Sequence, residues 1–225
     1  MWARITREIM VAARDGGGDV SMNPQLSLAV DRAKGENMPK DNIERAIKRG
    51  TGEIEGDDYV EVTYEGYGPA GVAILVESLT DNTNRTVADL RNLFSKAGGS
   101  LGQSGSVSYL FERKGIIEIS AADHDEMVIF ELVADAGAED LARDDDTFVV
   151  TTGVEDFAAV HGVLKDRGIE PIEAGLQRIP TTTVSLDPGD ARKVAALIDK
   201  VEDHADVQAV YSTLELDEAT IEAIA

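Results

Sequence analysis

The sequence contains no cysteine, which excludes disulfide bonds, cysteine-ligated metals and thiol nucleophiles. Aromatic residues are also scarce, at 5% against 43% hydrophobic residues, so the cores must consist mostly of Val, Ile, Leu and Ala. The longest apolar runs, such as Gly71–Val76, have the length of a strand and fall far short of a membrane span. No apolar signal-peptide segment opens the chain. We therefore expect a cytoplasmic protein without a membrane partner.

Positive charge is scarce and unevenly placed. The 225 residues carry 21 Lys and Arg against 43 Asp and Glu, a formal net charge of −22. Residues 1–50 hold 9 cations against 7 carboxylates, whereas residues 51–225 hold 12 against 36. Because the acidic remainder repels polyanions, any nucleic acid should meet the first fifty residues or small local sites. The alternative partner is a basic protein, which the acidic part would attract.

No set of side chains in the sequence points to catalysis or to a metal. His124, His161 and His204 are isolated and lack metal-ligand spacing. Gly98–Gly102 matches G-x-S-x-G, but a helix is predicted before it and a strand after it, the reverse of a nucleophile elbow. We interpret it as a flexible loop with backbone amides free for a ligand or partner. The sequence therefore predicts a non-enzymatic protein, with no metal site and no cofactor.

Residues 1–50 have the periodicity of three short helices. The first extends from Trp2 to Arg14, and Gly16–Gly18 end it. Its arginines, Arg4, Arg7 and Arg14, fall on one side, away from the apolar stripe. Asn23 caps the second helix, with Pro24 in its first turn.

The third helix, within Asn37–Gly52, is amphipathic and cationic. Pro39 fits its first turn and Gly50 the position just past its end. Its apolar stripe consists of Ile43, Ala46 and Ile47, and its opposite face carries Lys40, Arg45, Lys48 and Arg49. These cations either stabilise the helix, by pairing with Asp41 and Glu44 and by interacting with the helix dipole, or bind a polyanion.

From Tyr59 the hydrophobic period changes to two, which indicates strands. Strands are predicted at Tyr59–Tyr64, Gly71–Leu79 and Ser106–Phe111, with a helix between the last two. Residues 115–180 have the order βαββαβ, which is typical of a ferredoxin-like unit. In the tail that follows residue 180, the pattern predicts a strand over Thr182–Leu186, a helix and a second strand. This tail is too small to fold alone, so we expect it to return to the sheet of residues 59–112.

The predicted fold class is therefore α+β. An N-terminal three-helix domain, residues 1–54, is followed by two α/β domains. The middle domain is discontinuous, with residues 55–114 plus 181–225. The last, residues 115–180, is a ferredoxin-like unit inserted into the middle one.

A second candidate anion site lies at Asp81–Thr86, where the chain leaves a strand and enters a helix. Asn84 or Thr83 can cap that helix, and Arg85 adds a cation beside its positive end. A plain capping turn explains the Asn and Thr residues equally well.

Seven stretches together resemble the YebC family. They are GGGD (Gly16–Asp19), NMPKDNIERAIKRGTG (Asn37–Gly52), YEGYGP (Tyr64–Pro69), LTDNTNRT (Leu79–Thr86), GSVSYLFERKG (Gly105–Gly115), GAED (Gly137–Asp140) and DVQAVY (Asp206–Tyr211). The match runs in order over nearly the whole chain, and motifs of this length are highly specific. The family comprises probable transcriptional regulators, with a mitochondrial branch of translational activators. The resemblance implies a helical domain plus two α/β domains, the third inserted into the second.

The resemblance also implies a non-enzymatic regulator of gene expression that binds DNA. The alternative is a ribosome-associated translation factor that binds ribosomal RNA or tRNA and supports synthesis of proline-rich sequences. A second alternative is an acidic module that docks on a basic protein. Charge slightly favours the ribosome, because an acidic body is poorly suited to lying along duplex DNA. The candidate nucleic-acid-binding residues are Arg4, Arg7, Arg14, Lys34, Lys40, Arg45, Lys48, Arg49, Asn82, Asn84 and Arg85.

Two features depart from the family pattern. Family members usually begin with a basic segment containing a Ser-Lys-Trp motif, and Trp2 stands at the aromatic residue that ends it. We expect either a truncated sequence or a member without that segment, with weaker nucleic-acid binding. Pro69-Ala70-Gly71 replaces the commoner Pro-Gly-Gly, a mild change unless the middle residue needs a positive φ.

Overall fold

The computed structural model describes residues 2–54, 59–122 and 124–224. The chain divides into two compact units, Met1–Phe111 with Pro180–Ala225, and Glu112–Ile179. The helices of the first fifty residues belong to the same unit as the first sheet. The division into three domains therefore stays a prediction.

Three helices begin the first unit: α1 (Trp2–Gly16), α2 (Pro24–Gly35) and α3 (Lys40–Gly50). Their apolar stripes meet in one core that includes Ile9, Leu26 and Ala46. Asn23 caps α2 as predicted, because its side-chain oxygen accepts the Leu26 N–H at 3.1 Å. The three helices therefore form one packed group.

Gly50 fixes how closely α3 approaches α1. The sequence pattern predicted Gly50 just past the end of α3, but it is the last residue of that helix. A Cβ at this position would lie 2.3 Å from the carbonyl oxygen of Met10 in α1. Glycine is therefore required for close packing, while the left-handed conformation falls at Gly52, with φ 78°.

The first unit also contains a four-stranded sheet in the order β3-β1-β2-β8. Its strands are β1 (Val60–Tyr67), β2 (Ala73–Thr80), β3 (Ser100–Leu101) and β8 (Val207–Ser212). Neighbouring strands are antiparallel throughout. Because β8 lies beside β2, the end of the chain returns to the first sheet.

Two helices, α4 (Thr83–Lys96) and α7 (Pro188–Glu202), pack on one face of this sheet. They bury Leu90, Phe94 and Leu197 against side chains of β2. A further helix, α8 (Glu218–Ile224), which the sequence reading did not predict, contacts α7.

Two predicted strands of this unit are wrong. The segment Thr182–Leu186 contributes only an isolated bridge, from Val184 to Leu214. Ser108–Leu110 is a 3-10 turn, and regular strand begins only at Phe111. The backbone N–H groups of Val107 and Ser108 donate to the buried carboxylate of Glu65 and not to a neighbouring strand.

The second unit has the predicted βαββαβ order. It contains β4 (Phe111–Ser120), α5 (Glu126–Asp135), β5 (Ala138–Asp144), β6 (Thr147–Thr152), α6 (Phe157–Asp166) and β7 (Glu173–Pro180). The sheet order β5-β6-β4-β7 places the first and third strands of the unit side by side. Ile117, Phe148 and Leu164 are among its fully buried side chains. The α+β fold class and the ferredoxin-like unit are therefore confirmed.

Candidate nucleic-acid interface

The helix α3 presents three cations to solvent, on the side away from its buried residues Ile43 and Ala46. The side chains of Arg45, Lys48 and Arg49 are all exposed. None of the three forms a side-chain hydrogen bond or an ion pair with any residue that the structure describes. They are therefore the cations of α3 that remain available to an external anion.

The other two lysines of the candidate set have carboxylate partners on their own helices. Lys34 lies 2.9 Å from Asp31, and Lys40 lies 3.5 Å from Glu44. Both lysines are strongly exposed, so each pair is worth only a few tenths of a kcal/mol. The helix-stabilising explanation thus accounts for Lys40 but leaves Arg45 without a partner among the described residues.

An open cavity of about 180 Å³ lies beside these cations. It is lined by Trp2, Thr6, Met38, Asn42, Arg45, Ala46 and Arg49. The Trp2 side chain is 44% exposed, and its indole N–H donates to the Glu36 carbonyl at 3.0 Å. Trp2 was not predicted as a site residue, because it recurs at helical spacing with the apolar residues Ile5, Ile9 and Ala12 and so resembles a core position.

Arg7 of α1 faces the protein and not the solvent. Its side chain is only 13% exposed, and its guanidinium lies 3.6 Å from the carboxylate of Asp206. It also lies 5.4 Å from the centre of the Tyr59 ring and donates to the Ala205 carbonyl. This arginine therefore attaches α1 to the residues that lead into β8.

Arg14 and Arg4 also bond to backbone carbonyls of the same unit. Arg14 donates to the Tyr59 carbonyl at 2.6 Å, next to β1. Arg4 donates to the Gln208 carbonyl in β8. The three arginines of α1 thus share one side of the helix, as predicted, and that side faces the first sheet.

The segment before α4 forms a cap different from the predicted one. Asn82 is the capping residue, and its side-chain oxygen accepts the Arg85 N–H at 3.1 Å. The prediction that Asn84 or Thr83 caps this helix is therefore wrong. Asn84 is exposed in the first turn, and its amide has no hydrogen-bond partner in the described part of the chain.

Asp206 is the acceptor at the centre of this region and is only 2% exposed. It accepts from Arg85 at 2.7 Å, from the Thr86 hydroxyl at 2.9 Å and from the Thr80 hydroxyl at 3.2 Å. Burial alone would raise the pKa of Asp206, but the bonds from Arg85 and Thr86 outweigh it and lower the pKa. With Arg7, this carboxylate connects α1, the end of β2 and α4.

Two carboxylates of the chain therefore already occupy the Arg85 guanidinium. Asp81 lies 2.9 Å from it and Asp206 2.7 Å. Contact between the Arg85 guanidinium and an external anion stays a prediction. The two carboxylate partners disfavour such a contact.

Two family models match the chain. One, described as the TACO1/YebC protein N-terminal domain, matches residues 1–53, and the other, the TACO1/YebC second and third domain, matches residues 59–214. The chain belongs to the TACO1/YebC family. The resemblance seen in the seven motifs is therefore confirmed.

Relatives of this TACO1/YebC chain are named probable transcriptional regulatory proteins. That of Salinibacter ruber is 56% identical over 218 residues, which cover 96% of this chain and 84% of that protein. That of Persephonella marina is 52% identical over 226 residues, covering 100% of this chain and 90% of that protein. The crystal structure of a conserved hypothetical protein from Aquifex aeolicus has a TM-score of 0.87 at 43% identity. It covers 96% of this chain and 90% of that one.

The loop after α4 in this TACO1/YebC chain is held by one buried glutamate. Glu65, 4% exposed, accepts the N–H groups of Gly105, Val107 and Ser108, each at 2.7 Å. Burial would raise the pKa of Glu65, but these three bonds outweigh it and lower the pKa. The prediction of free backbone amides in Gly98–Gly102 is wrong for Gly98, Gly99 and Gly102, whose N–H groups donate to the carbonyls of Ser95, Phe94 and Glu65. Ser100 lies in β3, paired with β1, and not at a strand-to-helix turn.

The departure from the TACO1/YebC pattern at Ala70 has a structural consequence. Ala70 has φ 55° and ψ 17°, the left-handed conformation that favours glycine, and Gly71 follows with φ 80°. The alanine therefore stands where the backbone needs a positive φ.

The described residues contain no group of three or more His, Asp or Glu side chains placed to hold a metal ion. No helix in that part of the chain has the length and apolar character needed to cross a membrane.

Proposed function

We propose that this protein is a cytoplasmic, non-enzymatic regulator of gene expression that binds DNA through Arg45, Lys48 and Arg49 of α3. One observation carries the proposal: in a chain of net charge −22, these three cations are exposed and have no partner among the residues that the structure describes. Carboxylates outnumber cations about two to one, yet no carboxylate in the described part of the chain pairs with any of these three side chains. The names of the relatives support a role in transcription.

The contacts of the other candidates support a narrower interface than the eleven residues predicted from the sequence. Arg4, Arg7 and Arg14 bond to the first sheet and its flanks, and Arg85 bonds to two carboxylates. We assign these four arginines to holding the helices and the sheet together. Lys34 and Lys40 remain at the edge of the interface, because exposed pairs separate at little cost.

The size of this cation cluster sets the expected strength of binding. Arg45 and Arg49 are one helical turn apart, a rise of about 6 Å, so the cluster spans two or three phosphates. Three phosphate contacts give a slope of about −2.7 for log affinity against log salt on duplex DNA. Binding should therefore be weak and sensitive to salt.

Ribosomal RNA is the second candidate target. It is favoured by the charge of residues 51–225, which hold 12 cations against 36 carboxylates. A factor that inserts one basic helix into a local RNA site suffers less repulsion than one that lies along a duplex.

Two binding measurements on the same protein test the proposal. Fluorescence anisotropy of a labelled DNA duplex across a salt series should give binding with a slope near the value above. Sedimentation with ribosomes over the same salt range tests the second candidate. Cosedimentation without duplex binding would replace DNA by RNA as the target, and failure in both assays would refute the proposed function.

A further inference from the structure

The cavity beside α3 has an aromatic wall that duplex binding does not use. The Trp2 ring is 44% exposed, and its single polar group already donates to Glu36 at 3.0 Å. That bond fixes the ring, so a ligand that stacks on it would not have to immobilise it. The indole face is therefore an ordered surface available for stacking.

Two of the residues that line the cavity together with Trp2 are cations. Arg45 and Arg49 both line the cavity, and they are one turn apart on the same helix. Like charges at this spacing repel each other and destabilise a helix slightly. A phosphate between or beside them would remove that repulsion and accept paired hydrogen bonds from a planar guanidinium.

A neutral polar group completes the lining. The side chain of Asn42 is half-buried, and its amide makes no hydrogen bond to the described residues. An amide offers both donors and an acceptor, which matches the edge of a nucleobase. The cavity of about 180 Å³ is smaller than a typical pocket for a drug-sized ligand, about 300–1,000 Å³. It therefore suits one planar ring system.

We infer that this cavity binds one unpaired nucleobase of a single-stranded nucleic acid. The base stacks on Trp2, its edge bonds to Asn42, and its flanking phosphates contact Arg45 and Arg49. This inference rests on the proposed function and names the form of nucleic acid that the same face recognises. In a duplex the faces of the bases are covered by their neighbours, whereas an unpaired base can stack on an aromatic side chain.

The chain offers its own probe for this site, because Trp2 is its single tryptophan. Titration with a single-stranded RNA dodecamer of mixed sequence should quench the tryptophan emission. The same sequence as a duplex should bind through the cations with little quenching. Equal quenching by both forms would overturn the inference.

Substitutions separate stacking from phosphate contact. Trp2→Leu should weaken single-strand binding about 5- to 150-fold and leave duplex binding unchanged, while Trp2→Phe should retain most of the affinity. Tyr109→Leu is the matched control, since Tyr109 is 70% exposed and lies outside the cavity. Asn42→Asp keeps a residue suited to an early helical turn and should weaken binding by placing a carboxylate beside the phosphates.

The outcomes distinguish this inference from the proposed function. If the triple replacement of Arg45, Lys48 and Arg49 by alanine weakens binding but Trp2→Leu does not, the cation face stands and the base-binding cavity is refuted. If Trp2→Leu weakens duplex and single-strand binding equally, the cavity is also refuted as a site for an unpaired base. If neither nucleic acid binds the parent protein, the proposed function itself fails, and the inference fails with it.

Discussion

The guanidinium of Arg7 lies 3.6 Å from the carboxylate of Asp206, near the opposite end of the chain. Arg7 was predicted to contact nucleic acid. Its side chain holds α1 to the residues before β8. The same carboxylate accepts from Arg85 at 2.7 Å. Two of the predicted binding residues therefore share one buried acceptor.

Replacement of Asp206 by alanine should lower the free energy of unfolding by about 2–3 kcal/mol. The substitution removes the carboxylate that accepts from the Thr80 and Thr86 hydroxyls, of which Thr86 keeps the Asn82 carbonyl at 3.0 Å, and it removes a buried partner of Arg85. Urea unfolding measures the change. Asp81→Ala is the matched control, because it removes the exposed partner of the same guanidinium and should cost less than about 1 kcal/mol. Equal losses in both variants would contradict a special role for the buried carboxylate.

Stability should fall in acid because of Asp206 and Glu65. Both have a folded-state pKa below the ordinary values of 3.8 and 4.5, so the unfolded chain binds more protons in that range. The stabilisation that these two carboxylates give the folded state is fully present above the ordinary pKa. It is lost as the pH falls through the lower pKa of the folded state. Urea midpoints measured from about pH 7 down to about pH 3 should show this decline. Asp206→Asn and Glu65→Gln should each show a shallower decline, and an unchanged slope would refute the assignment.

Replacement of Gly50 by alanine should destabilise the protein by about 1–3 kcal/mol, because the new Cβ meets the Met10 carbonyl at 2.3 Å. Gly35→Ala is a matched control, since Gly35 also ends a helix but has no atom within 4 Å of a built Cβ. Thermal unfolding of the two variants compares them. A Gly50 variant as stable as the Gly35 variant would show that α3 can move away from α1 at no cost.

Replacement of Ala70 by glycine should stabilise the protein by about 1 kcal/mol. An L side chain in the left-handed region costs about 1–2 kcal/mol, part of which the greater freedom of unfolded glycine cancels. The same substitution at Ala88, exposed within α4, should have the opposite sign and cost about 1 kcal/mol. Urea midpoints for the pair decide this, and a destabilised Ala70→Gly variant would refute the strain argument.

The predictions that succeeded rest on local patterns. Asn23 caps α2 because a cap depends on a side chain and an N–H three residues apart. The order of elements in residues 115–180 predicted the ferredoxin-like unit because each element has a clear hydrophobic period. The hydrophobic period of α3 likewise predicted that the cations opposite its apolar stripe are exposed.

The predictions that failed depend on partners distant in sequence. Nothing near Val107 indicates that its N–H bonds to Glu65, 42 residues earlier, and that bond replaces the expected strand. The cap of α4 is a local exception, because Asn82, whose N–H donates to the Thr80 hydroxyl at 2.9 Å, accepts the Arg85 N–H only three residues later. Nucleic-acid binding by Arg7 stays a prediction, but the sequence could not indicate that its side chain meets Asp206, which lies far along the chain.

Replacement of Arg45, Lys48 and Arg49 by alanine in one variant tests the central claim most directly. Measured on duplex and single-stranded probes across a salt series, this variant should lose affinity, and the salt slope should fall by about one unit per lost phosphate contact. Its free energy of unfolding should change by less than about 1 kcal/mol, since the side chains are exposed. The control variant replaces Arg91, Lys96 and Arg113, which are also exposed, by alanine and changes the net charge by the same amount. Its affinity should stay near that of the parent protein. Intact binding and an unchanged slope in the α3 variant, with reduced stability, would show that these cations serve the helix alone.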